Sequence, residues 1–121
     1  MRHILFIHPD RKLAEIYRQH LSPHFFVDSA HDGLAGLRQI KLHKPRVIVS
    51  DFDLPYMSGL ALLGYVRNHP EIHSTPFLFL TRSPMPHDAL GLGATAWLDQ
   101  REHGPESLMQ QLSLHRQALH A

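Results

Sequence analysis

Val47-Ile48-Val49-Ser50-Asp51-Phe52-Asp53-Leu54-Pro55-Tyr56-Met57-Ser58-Gly59 reads as three successive pieces. Val47-Ile48-Val49 is a continuous apolar run, which suits a strand buried on both faces. Asp51 and Asp53 then put two carboxylates where that strand must end. Leu60, Leu63 and Val66 recur at helical spacing until Asn68-His69-Pro70 closes the helix. A buried strand, an acidic turn and a helix form the unit from which the rest of the chain is read.

The same alternation runs outward to both ends. Ile4 to Ile7 reads as a buried strand, and Leu13, Ile16, Tyr17 and Leu21 as a helix ended by Ser22-Pro23. Phe25-Phe26-Val27 gives a second short strand. Asp32-Gly33 opens a helix with Leu34, Leu37 and Ile40, stopped by Lys44-Pro45. Downstream, Phe77 to Leu80 is a fourth strand and Ala94 to Leu98 a fifth. Leu108, Leu112, His115 and Leu119 share one stripe of a final helix begun after Gly104-Pro105. The pattern is βα repeated five times. Apolar strands joined by helical crossovers imply a parallel sheet covered on both faces. Right-handed crossovers then favour a five-stranded, doubly wound α/β fold. Function in such a sheet collects at the carboxyl ends of the strands. The groups there are His8, Pro9, Asp10, Asp51, Asp53, Thr81, Asp99 and Gln100.

Composition narrows the function classes. The 121 residues fit one domain, 1–121, and 43% hydrophobic with 19% charged residues is a globular balance that needs no staples. There is no cysteine, which removes disulfides and thiolate chemistry. A net charge of +1 marks no nucleic-acid or membrane surface. Ile4 to Ile7 is cut short by His8-Pro9, too early for a signal peptide, and no apolar run approaches the ~20 residues of a membrane span. A soluble cytoplasmic protein is expected, with a connection to a further domain starting in its last residues. Twelve histidines are unusual, but they read as scattered surface groups. Proline separates His20 from His24 and His69 from His73, while His115 and His120 are five apart, so no helical metal clamp is formed. A flavin-phosphate loop and a Gly-x-Ser-x-Gly elbow are both missing, so no enzyme is read here.

With its elements in this order, Val49 to Gly59 resembles the phosphoacceptor segment of response-regulator receiver domains. The shared features are an apolar strand, Asp, two variable residues, Leu-Pro, then Met-Ser-Gly. The similarity covers nearly the whole chain and includes Ile4-Leu5-Phe6-Ile7, Asp32-Gly33, Leu80-Thr81 and Gly93-Ala94. It implies the chemotaxis-type, flavodoxin-like (βα)5 fold with strand order 2-1-3-4-5. It also implies Asp51 as phosphoacceptor and Thr81 as the hydroxyl that contacts the phosphoryl group and moves on activation. Trp97 falls where the switch aromatic is usually Tyr or Phe, and its indole N–H needs a partner. The implied partners are proteins: a sensor histidine kinase, an effector or regulatory domain, or a second copy in a homodimer.

Three departures mark the chain as atypical. His8 and Pro9 stand where receivers carry the acidic pair that holds Mg²⁺, and Asp10 is read as a helix cap. Mg²⁺ wants carboxylate and water oxygens, so Asp51, Asp53 and Asp10 leave at most a weak site, and no other cofactor is implied. Gln100 replaces the lysine that contacts the phosphoryl group, and such a charge-assisted bond is worth about 1.5–3 kcal/mol. Arg101 replaces the proline that follows, so the chain is expected to leave strand five by another path. Only eleven residues, with Pro84, Pro86 and Gly91 among them, separate Thr81 from Gly93. Helix four is therefore expected to be shortened or lost, with Asp88-Ala89-Leu90 making one turn or none. Together these features read as a pseudo-receiver, a protein-interaction module with impaired phosphorylation. The alternative is a working phosphoacceptor modified on Asp51 by a sensor histidine kinase.

Overall fold

The computed structural model describes residues 3–115. The chain runs β1 (His3–Ile7), α1 (Arg11–Leu21), β2 (Phe26–Ala30), α2 (Gly33–His43), β3 (Val47–Ser50), α3 (Gly59–Arg67), β4 (Phe77–Thr81), β5 (Ala96–Asp99) and α4 (Pro105–Ser113). The five strands are parallel in the order β2-β1-β3-β4-β5, as the resemblance implied. No helix among the described residues is long and apolar enough to cross a membrane.

Alternation along the strands explains why they read as unbroken apolar runs. Ile4, Phe6, Val47, Val49, Leu78 and Leu80 point to one side, where α1 adds Ala14, Tyr17 and Leu21 and α4 adds Leu108 and Leu112. Leu5, Ile7, Ile48, Phe77 and Phe79 point to the other, against Ile40 of α2 and Leu62, Leu63 and Val66 of α3. Both faces of the sheet are therefore core.

Side-chain caps set where the helices begin. Asp10, Asp32 and Ser58 accept the first free backbone N–H groups of α1, α2 and α3. Gly33 donates its N–H to the Pro55 carbonyl at 3.0 Å. A Cβ there would collide with the Met57 carbonyl oxygen, so glycine lets α2 start against the loop that follows β3. That contact fixes the loop beside the carboxyl end of β3.

The five-fold βα repeat fails at one crossover. Between β4 and β5 the chain makes turns rather than a helix, so there are four helices among the described residues. Pro84 and Pro86 lack the amide hydrogens a helix would need, and the segment is too short to recover. Arg67, in the last turn of α3, ties this region down. Its guanidinium donates to the carbonyls of Gly93 (2.9 Å), His73 (3.0 Å) and Thr75 (2.6 Å), and approaches Thr95 Oγ1 at 3.4 Å. Burial lowers the Arg67 pKa.

Smaller corrections concern element ends. β2 runs on to Ala30 through polar Asp28 and Ser29, because it is the half-exposed edge of the sheet. β5 begins at Ala96 rather than Ala94 and ends at Asp99. α4 stops at Ser113, so His115 lies in the turn beyond it, and Leu119 lies outside the described residues.

Tyr17 joins α1 to the turn before α4. Its ring stacks on Phe6 at 5.2 Å and its hydroxyl donates to the His103 carbonyl at 2.7 Å. Tyr17→Phe is expected to lower stability by about 1 kcal/mol in urea titrations at neutral pH. Burial raises the phenol pKa above its ordinary value of 10.0. As pH rises past that value the unfolded chain ionises first, so wild-type stability should fall there. The fall should be smaller in the Tyr17→Phe protein.

Candidate functional site

The carboxyl ends of β1, β3 and β4 bring His8, Asp51, Asp53 and Thr81 together, and Gln100 joins them from the end of β5. With Asp10, Leu13, Arg82 and Ser83 these residues line a cleft of about 250 Å³. Asp51 is 9% exposed at its base. Its Oδ1 accepts the Thr81 hydroxyl and, at 3.2 Å, the backbone N–H of Asp53. Its Oδ2 faces His8 Nε2 at 3.3 Å.

His8 is 4% exposed and central to the cleft. The Asp10 backbone N–H donates to His8 Nδ1 at 3.1 Å, so the ring proton sits on Nε2. That N–H bonds to Gln100 Oε1 at 2.8 Å, while Asp51 Oδ2 lies 3.3 Å from the same nitrogen. One oxygen of the Asp51 carboxylate is thus held by two donors of the protein, and the other lies against the His8 ring.

Ser83 builds a second layer. Its hydroxyl donates to Asp53 Oδ2, its N–H to Thr81 Oγ1 at 3.2 Å, and its carbonyl accepts the Trp97 indole N–H at 3.2 Å. The Trp97 ring lies 5.0 Å from Phe79 and 5.2 Å from Phe52. Trp97 therefore stands behind the cleft, coupled through Ser83 to Thr81 and Asp53.

Other residues singled out by the sequence lie elsewhere. Pro9 is exposed and does not line the cleft. Asp10 reaches its rim, but its Oδ1 accepts from Lys12 and Leu13 N–H and caps α1. Asp99 turns to Arg101, whose guanidinium lies 2.9 and 3.0 Å from its oxygens and lowers its pKa. The turn after β5 contains no cis peptide and is closed by Glu102 and His103 N–H groups on the Asp99 carbonyl. Ser83 went unnoticed in the sequence. Its one signal was its place two residues beyond Thr81.

The Mg²⁺ ion implied by the resemblance does not fit these residues. The ion needs an octahedron of oxygens, whereas Asp51 Oδ2 lies 3.3 Å from the His8 ring nitrogen and Asp53 Oδ2 holds the Ser83 hydroxyl. Asp10 is turned to its helix, and among the described residues no three His, Asp or Glu side chains group as a metal site. Asp51, Asp53 and Asp10, the residues of the expected weak site, each already accept a hydrogen bond from the protein.

Known proteins agree with this geometry. The response regulator receiver domain profile matches residues 4–113. The chemotaxis response regulator CheY4 of Vibrio cholerae matches with a TM-score of 0.83 and 27% identity, over 93% of this chain and 97% of that one. A probable chemotaxis protein CheY of Rhizobium etli is 33% identical over 55 residues, 46% of this chain. Hybrid signal transduction histidine kinase D of Dictyostelium discoideum is 28% identical over 78 residues, 64% of this chain. The matched stretches span 43% of the Rhizobium protein and 5% of the kinase. Sequence order, sheet topology and cleft lead to one family: the chain belongs to the response regulator receiver domains of two-component and phosphorelay signalling.

Proposed function

We propose that this receiver acts as a protein-interaction module whose phosphorylation on Asp51 is impaired. The observation that carries the reading is the Asp51 carboxylate held by the Thr81 hydroxyl, with the His8 ring, itself bonded to Gln100, packed 3.3 Å from its other oxygen. An incoming phosphoryl group brings negative charge, and its transfer depends on positioned cations. His8 and Gln100 offer neutral dipoles in their place. The Thr81–Asp51 and Trp97–Ser83 bonds tie both switch positions into the fold, which supports a partner surface set by packing. That partner is a protein in the cytoplasm, namely a histidine kinase, an effector or regulatory domain, or a second copy, and not nucleic acid or membrane.

Intact mass after incubation with acetyl phosphate and Mg²⁺ tests the proposal, with Asp51→Asn as control. No gain of one phosphoryl group is expected in the folded protein. A gain that vanishes in the control would make the chain a working phosphorylation switch. The retained Asp51 and Thr81 at an open cleft support that second reading, in which a sensor histidine kinase donates the phosphoryl group.

A further inference from the structure

A larger cavity, about 510 Å³, lies at the other end of the sheet, between the loops that precede β3 and β4. We propose that Lys44 and Arg46 make this cavity a binding site for a small phosphate-bearing polyanion. The volume falls in the range of ligand sites, roughly 300–1,000 Å³. Its polar wall holds Lys44, Arg46, His43, Ser74 and Thr75, and Glu71 is the carboxylate that lines it. Arg46 is exposed and pairs with no carboxylate among the described residues. A guanidinium presents the paired donors that match phosphate oxygens, and a lysine adds a point charge.

Backbone conformation supports the same site. Lys44 closes α2 with φ 43° and ψ 66°, a left-handed conformation that glycine or asparagine adopts more readily. That conformation places the Lys44 side chain in the wall of the cavity. Lys44 also lines an adjoining cavity of about 170 Å³ together with Lys41 and His69. Lys44 lines both cavities, with Arg46 and Glu71 in the larger and Lys41 in the smaller. Lys44 pairs with Glu71, whose pKa is lowered by that pairing. A bound phosphate competes with Glu71 for the ammonium group.

Titration of the whole chain with pyrophosphate, followed through its backbone amide NMR signals, tests the proposal. Saturable shifts are expected at residues 43–46 and 71–76, with the cleft around Asp51 unmoved. Arg46→Gln should weaken binding roughly ten- to hundred-fold, because it removes a charge-assisted hydrogen bond to the phosphate. Glu71→Gln should tighten it several-fold, because it removes a like charge and releases Lys44. Tighter binding of adenosine diphosphate than of pyrophosphate would assign the phosphate to a nucleotide, and the reverse order to a free polyphosphate. Non-saturating shifts spread over all basic residues would overturn the proposal. So would an unchanged affinity in the folded Arg46→Gln or Glu71→Gln protein.

Discussion

Exchanging His8→Asp, Pro9→Asp and Gln100→Lys together is expected to produce Mg²⁺-dependent phosphorylation of Asp51, at least about a thousandfold faster than in the parent chain. Each charged group newly placed against the phosphoryl oxygens is worth roughly ten- to hundred-fold, and the metal and the ammonium act on the same developing charge. The introduced carboxylates supply the oxygens that Mg²⁺ requires, and removing the imidazole clears the ring that lies 3.3 Å from Asp51 Oδ2. Gln100→Lys alone should achieve little. His8 Nε2–H would lose its 2.8 Å acceptor and meet a second donor in its place. Rates from intact mass with and without Mg²⁺, repeated on an Asp51→Asn background, decide the matter. A folded triple variant that stays inert would place the obstruction in the Ser83 layer or the shortened crossover.

Arg67→Ala is expected to lower folding stability by about 3 kcal/mol, measured as a shift in the urea midpoint at unchanged m-value. One guanidinium spans the end of α3, the loop before β4 and the helix-free crossover before β5. Its loss leaves the Gly93, His73 and Thr75 carbonyls without their charged donor. A helix at this crossover would satisfy its own backbone groups and cover the sheet. The turns close only some of theirs, such as Leu92 N–H on Asp88 and Gly93 N–H on Leu90, and the Gly93 carbonyl falls to a side chain from the neighbouring helix. Arg67→Lys should fall between wild type and Arg67→Ala, since a single ammonium reaches fewer of these acceptors. A loss under about 1 kcal/mol for Arg67→Ala would mean that packing alone holds the crossover.

The sheet was legible because its inner strands are buried on both faces, which leaves an unbroken apolar signature in Ile4 to Ile7, Val47 to Val49 and Phe77 to Leu80. β2 was harder, since an edge strand tolerates Asp28 and Ser29. Counting residues and prolines between Thr81 and Gly93 exposed the weakness of the fourth crossover, but not what replaces its helix. Arg67 bonds mainly to backbone carbonyls, and no motif records those. The positions of Asp51, Thr81 and Gln100 followed from strand ends alone. So did the position of His8, but not its role: in the sequence it marks a missing carboxylate, whereas in the fold its ring lies between Gln100 and Asp51. Its tautomer is set by the Asp10 backbone amide, which carries no side-chain signature. Ser83 and Trp97 meet across fourteen positions of chain, a pairing that only the turn geometry creates.

Trp97 is the one tryptophan in the chain. Its indole nitrogen is bonded to the same residue that touches Thr81 and Asp53. The protein's ultraviolet emission therefore originates beside the cleft and depends on how tightly that ring is packed between Phe52 and Phe79. A partner or substitution that shifts the Ser83 turn changes the solvent around the fluorophore. The unlabelled molecule thus carries its own optical probe, and docking at this end of the sheet can be followed in real time as a change in colour and intensity.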